Sequence, residues 1–473
     1  MRRLVAGVLA AVLLTAACSS GGGSSSRPAP TSGPAGYYRT PVDRGYDVTH
    51  YDIRLRYRPR SGRVDATTAV TATATRLLTR MVLDLHGLRL GPTRLDPGNG
   101  KPSEPVRRRR DGDQLTLTLP DAVPRGTSFT VSIGYHGVPR PVSDPTGPPG
   151  EGELGWQRLP NGDVYVVSEP IGARTWFPSN DQPGDKATFT VRVEVPVGLT
   201  VASNGQWLGG GAHGPGTNTF HWHMSHPMAT YLATVVIAAM REQRGASPGG
   251  VSIRNYFPNA TVEAGISSFA RTGEMIDYFS SIISRYPFGE YGVAVVPTDL
   301  GYALENQTMS VFGRDMLGTD QEAQLTVAHE LAHQWFGDSV GIERWSDIWL
   351  NEAFANYFQY VWMAHADPTF DLDRTMANLR AERAGELGPI LDPGPRGTFS
   401  SAIYERGALA VHALRRTIGD PAFFTVVRRW TTEHRYGIGT TGQFITLVEE
   451  VTGRPLGTFF DAWLRAKTVP PLP

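Results

Sequence analysis

"AHELAHQWFGD", residues 328–338, sets two histidines four apart with a glutamate directly after the first. On a helix, positions four apart share one face, so His329 and His333 can present ring nitrogens to a single ion. Two ligands hold zinc poorly; a catalytic site takes a third and leaves a position for water. "WLNEAFANY" (349–357) offers Glu352, with 18 residues between it and His333. Turn residues after Gly337 let a second helix fold back on the first, so that Glu352, early in that helix, reaches the ion. Glu330 lies about 100° around the helix from His329, beside the ligand face. Zinc lowers the pKa of a bound water towards neutrality, and Glu330 can take its proton and pass it to a leaving amine. The histidine pair alone also suits a buried amphipathic helix whose core hydrogen bonds it satisfies. A spaced glutamate inside a second helix turns the pattern into a metal site.

Outward from this stretch the periodicity is helical. "TDQEAQLTVAHELAHQWFG" opens with Thr319 as N-cap and Glu322 three residues on, a capping box, and closes with Gly337 as C-cap. The second helix starts near Ser346 and runs to Asp367-Pro368, where proline ends it. Further helical patterns cover 264–285, 401–418, 420–434 and 441–452. Before residue 246 the period is two: Tyr51, Ile53, Leu55, Tyr57; Leu115, Leu117, Leu119; Phe129, Val131, Ile133, Tyr135; Phe189, Val191, Val193, Val195. Such strands, split by Gly and Pro, predict an antiparallel sandwich with one wet face per sheet. "REQRGASPGG" (241–250) has the composition of a boundary, which places a β-sandwich domain at 37–246 and a catalytic domain at 247–473. No internal repeat is visible.

The 473 residues exceed one ordinary domain. Forty-five basic residues balance 45 acidic ones, which argues against a nucleic-acid partner. The run Arg107–Arg110 is the exception, read as a solvated loop rather than an anion site. At the start, Arg2 and Arg3 precede an apolar core, Leu4 to Leu14, too short to span a bilayer. Residues 1–17 read as an export signal. "LLTAACSSGGGSSS" resembles a bacterial lipobox in which Cys18, the sole cysteine, becomes the lipidated first residue. Residues 18–36 then form a Gly/Ser/Pro tether. The expected location is the bacterial cell membrane, lipid-anchored on its extracytoplasmic side; an ordinary secretory signal is the alternative.

HExxH-x18-E with "WLNEAFANY" resembles the gluzincin zinc aminopeptidases, peptidase family M1 of the aminopeptidase N type. "ARTWFPSNDQPGDKATFTV" (173–191), "YALENQT" (302–308) and "YERGA" (404–408) are similar, in order, to three further family segments. The resemblance implies an α+β multidomain chain: an N-terminal antiparallel β-sandwich, then a thermolysin-like, mainly helical zinc-peptidase domain. It implies one Zn²⁺ on His329, His333 and Glu352, with Glu330 as base then acid. It makes Tyr404 the hydroxyl that stabilises the oxyanion and Glu305 the carboxylate that binds the substrate's free α-ammonium. Residues 302–306 would form an edge strand beside the metal, with Ala303 and Asn306 as substrate contacts. Glu169 could supply a second carboxylate to the amine.

This chain departs from the family in places. Val167 stands where relatives often carry a glutamine that helps grip the amine, and Tyr302 and Leu304 replace a glycine and a methionine of the pocket wall. Many relatives continue into a helical domain that closes the cavity, so a more open cleft is expected here. Three functions therefore stay open: a peptidase acting on free N-termini, an endopeptidase on the same scaffold, and a non-catalytic surface binding protein. "HWHMSH" (221–226) puts His221 and His223 on one side of a strand, but no local carboxylate or cysteine accompanies them; they read as surface or structural histidines.

Overall fold

In the computed structural model, residues 37–39, 44–98, 102–148, 150–383 and 388–473 are described. The signal, Cys18 and the tether lie outside them. Among the described residues no helix is long and apolar enough to cross a membrane.

The alternating segments are strands, and their apolar residues are the buried ones. Tyr51, Ile53, Leu55 and Tyr57 on strand Tyr46–Arg58 are almost fully buried. That strand is central to an eight-stranded sheet, antiparallel to Arg63–Ala74 on one side. On the other side it runs parallel to Ala187–Pro196, so the sheet is not wholly antiparallel as expected. Periodicity reports which face a residue takes, not which strand lies beside it. Leu115, Leu117 and Leu119 belong to a separate three-stranded sheet, and a five-stranded sheet carries Val164–Val167.

Arg107–Arg110 is a correction: it forms an edge strand, Arg107–Asp111, paired with Gln114–Val123. Arg108 donates to the Gly91 carbonyl and Arg110 to those of Leu85 and Leu88, so main-chain acceptors capture these side chains. The stretch 241–250 is a hairpin, Met240–Ala246 against Ser252–Pro258, at the edge of a six-stranded sheet. The Ser-Pro-Gly-Gly composition there marks its turn.

Among the described residues the α-helices are Val262–Ser268 (α1), Thr272–Ile282 (α2), Gln321–Ala332 (α3), Trp349–Ala366 (α4), Leu372–Glu382 (α5), Gly407–Ile418 (α6), Asp420–Glu433 (α7), Thr441–Thr452 (α8) and the short Gly457–Phe460 (α9). The single helix expected over 264–285 is split in two. Ser267 and Ser268 bond back to carbonyls one turn earlier, and Phe269 turns inward to stack on Phe257 at 6.0 Å. Helix α3 is capped by Asp320, whose carboxylate accepts from Ala323 N at 3.0 Å, and not by Thr319. Asp is as good an N-cap as Thr, and it sits one residue nearer the first free amides. Nor is Gly337 the C-cap: α3 ends at Ala332, and His333 occupies that place. The chain goes on in wider turns, with Asp338, Ser339 and Val340 amides bonding to carbonyls five residues back. Helix α4 is buried nearly all round, as a helix central to a domain must be. Phe336, just past α3, stacks on its Phe354 and Phe358 at 4.8 and 5.4 Å, which folds α4 back against α3.

Candidate metal centre and substrate cleft

His329 lies in the last turn of α3, His333 at its C-cap and Glu352 in the first turn of α4. His333 Nδ1 meets the Phe336 carbonyl at 2.9 Å, so that nitrogen donates and Nε2 is turned towards the other ligands. The two Nε2 atoms are 3.0 Å apart, and Glu352 Oε2 is 3.5 Å from His329 and 3.3 Å from His333. Tetrahedral zinc with bonds of about 2.0–2.1 Å separates its ligand atoms by roughly 3.4 Å. Two imidazoles, whose protons a bound ion would displace, and one carboxylate at that spacing fit zinc in chemistry and in size. The fourth corner belongs to water or substrate.

Around this triad the charges are set by burial and by one another. Burial works against ionised Glu352, but His333 and His329 outweigh it and hold the carboxyl at about 2. Burial pushes Glu330 well above the usual carboxylate range, with His333 opposing and Glu305 and Glu352 adding to the rise. Glu169 is driven up by burial and then by Glu305, Glu352 and Glu330. Glu305 rises mainly by burial. A cation among the ligands offsets this crowding of carboxylates.

The carboxylates of Glu169, Glu305 and Glu352 come within 4.8 Å of one another. Glu352 thus belongs both to the metal triad and to an acid cluster. Oε1 of Glu169 and Oε1 of Glu305 are buried without a hydrogen-bond partner, an arrangement that calls for a donor from outside the protein. Edge strand Ala303–Leu304 forms where expected, antiparallel to Ser310–Phe312. Asn306 uses its Nδ2 on the Leu232 carbonyl at 3.0 Å, leaving its Oδ1 without a partner. Val167 is buried in the core. Tyr404 sits in a π-turn with its ring 6.0 Å from that of His329. Burial and then the neighbouring carboxylates, Glu352 first, push its hydroxyl well up, so it holds its proton at neutral pH. His221 and His223 join no group of metal-ligating side chains among the described residues; His223 Nδ1 lies 3.1 Å from Thr190 Oγ1.

Other residues matter that sequence reading passes over. Gln334, directly after His333, clamps the turn bearing Glu305: its Nε2 donates to the Glu305 carbonyl at 2.9 Å and its Oε1 accepts from Thr308 N at 2.8 Å. The buried Tyr231 hydroxyl has no partner, and after burial Glu169 and Glu305 are the strongest influences on it. Lys186 Nζ donates to the carbonyls of Asp338, Ser339 and Gly437 at 2.7, 2.9 and 3.1 Å. Gln334 could have been suspected from its place in the quoted stretch; the others carry no local signal.

Two family profiles match: the Peptidase M1 N-terminal domain over residues 48–232 and the Peptidase family M1 domain over 268–463. The chain is 28% identical over 322 residues to Aminopeptidase M1-B of Oryza sativa subsp. japonica, covering 64% of this chain and 37% of that protein. It is 25% identical over 424 residues to human Endoplasmic reticulum aminopeptidase 1, covering 82% and 44%. The chain thus spans about two fifths of the length of these curated relatives. The fold superposes on the M1 zinc metallopeptidase of Deinococcus radiodurans with a TM-score of 0.81 at 30% identity, over 92% of this chain and 98% of that one. An E323A mutant of that enzyme, bound to a Tyr-Ser-Ala substrate, matches with a TM-score of 0.80, over 91% and 96%.

Proposed function

This chain belongs to peptidase family M1, and on that premise we propose that it is a zinc aminopeptidase, releasing the first residue of peptides. The observation that carries the reading is the sharing of Glu352 between the metal triad and the acid cluster of Glu169 and Glu305. An α-ammonium held by that cluster keeps the first peptide bond beside the metal, because one residue advances the chain by only about 3.8 Å.

Zinc on His329, His333 and Glu352 supplies a Lewis acid that polarises the scissile carbonyl and acidifies water. Glu330, beside the ligand face, takes the attacking water's proton on its carboxylate and delivers it to the departing amine nitrogen. Burial and the neighbouring Glu305 and Glu352 raise its affinity for a proton, which favours taking one from the attacking water. The Tyr404 hydroxyl donates to the carbonyl oxygen as negative charge builds there. Glu305 and Glu169 accept from the α-ammonium, and the Ala303–Leu304 edge offers backbone groups to an extended peptide. The proposed lipid anchor on Cys18 would keep this chemistry on the outer side of the membrane. Its support is the lipobox-like stretch, and fatty-acid labelling of the chain should disappear in Cys18→Ser.

The deciding experiment offers the zinc-loaded protein matched peptides with free and acetylated N-termini. Cleavage of the free form alone is expected. Equal cleavage of both would make it an endopeptidase, and cleavage of neither a binding protein.

A further inference from the structure

Tyr404 does not stand on a regular α-helix. Ala402–Arg406 form a π-turn leading into α6, closed by a bond from Gly407 N to the Ala402 carbonyl five residues back. Such turns are rare and persist where their surroundings hold them. Here α4 does so in two places. A Cβ on Gly407 would lie 2.5 Å from that of Ala353, so the turn rests directly on α4 one residue past Glu352. Four residues after Glu352, Asn356 Nδ2 donates to the Tyr404 carbonyl at 2.8 Å.

The Asn356 amide is itself oriented, because its Oδ1 accepts from Gln359 Nε2 at 2.8 Å. Gln359 also lies close to the imidazole of His329. Glu352, Asn356 and Gln359 fall at i, i+4 and i+7, one face of α4. That face carries a metal ligand, a contact to the tyrosine's main chain and the amide that orients that contact.

We propose that Asn356 is a positioning residue for Tyr404, holding the π-turn so that the hydroxyl stays over the metal triad. Gln359 fixes the amide that does this. The inference rests on the reading of Tyr404 as the oxyanion stabiliser.

A double-mutant cycle tests it in the zinc-loaded full chain. Asn356→Ala should lower kcat about tenfold, in the range seen when a partner of a site residue is lost, with KM and zinc content unchanged. In a Tyr404→Phe background the same substitution should change kcat less than about twofold, because the group it positions is gone. Asn356→Asp keeps the side chain's shape but faces the Tyr404 carbonyl with an oxygen, so it should lose activity likewise. Losses that multiply across the cycle, or full activity in Asn356→Asp, overturn the proposal. Loss in Tyr404→Phe with none in Asn356→Ala also overturns it, while leaving the oxyanion role intact. If Tyr404→Phe is fully active, the oxyanion role fails and the positioning role fails with it.

Discussion

Glu330 and Glu352 are both buried carboxylates in one small volume, yet they end in opposite states. Glu352 faces two imidazoles and is held ionised at about 2, while Glu330 has burial and other carboxylates acting on it and is pushed up. Position relative to the histidines, not residue type, separates a ligand from a base. Glu330→Gln should therefore lower kcat by roughly 10²–10⁴ with zinc content unaltered, measured by turnover and metal analysis on the same sample. Glu305→Ala should act differently: KM for free peptides should rise, on the order of tenfold or more, for loss of a charged contact. Discrimination against acetylated peptides should narrow with it; unchanged discrimination would remove Glu305 from amine recognition. At this scale the metal triad was legible because ligand spacing on helices is a geometric signature. Gln334 and Asn356 were not, since an amide that props a neighbour has no spacing of its own.

At the level of elements, the seam between α4 and the Tyr404 turn is a tight constraint near the site. Gly407→Ala would press a methyl into Ala353. It should cost about 1–3 kcal/mol of stability and lower kcat, read by denaturant unfolding and turnover. Helix α6 also carries His412, buried beside Tyr357 and pushed down to about 4, chiefly by burial. The unfolded histidine has a pKa near 6.5, so between pH 6.5 and 4 the unfolded chain takes up a proton that the folded chain refuses. Stability should fall as pH drops through that window, by on the order of 2 kcal/mol from this residue. Denaturant melts at pH 7 and 4.5 should show a shallower acid loss in His412→Gln. Strands and helices were largely legible because apolar spacing mirrors their two periods. Exact ends were not. Asp320 and Thr319 are both competent caps, and the wide turns after His333 depend on bonds five residues apart that no local pattern announces.

Across the whole molecule, Lys186 joins the β-rich part to the loop behind the metal. It precedes strand Ala187–Pro196 and gives all three ammonium hydrogens to main-chain carbonyls of Asp338, Ser339 and Gly437. Lys186→Met keeps much of the volume but leaves those carbonyls without their donor. A loss of about 2–4 kcal/mol is expected, with weaker zinc retention because the loop follows His333. Thermal melts and competition with a chelator would show both, and an unchanged melt would mean that water replaces the ammonium. Removal of zinc from the intact protein should itself lower Tm, since only the folded chain assembles the triad.

The alternation that makes strands and the spacing that brings His329, His333 and Glu352 together are legible in the chain alone. These are short-range properties, written in steps of two, three and four. The packing of distant segments brings Glu169 and Glu305 beside Glu352. It also decided that one strand pair runs parallel and that a lysine far from the metal helix supports the loop behind it. Those arrangements join segments more than a hundred residues apart, and their partners are chosen by packing and by the need to satisfy buried polar groups, which no local window contains.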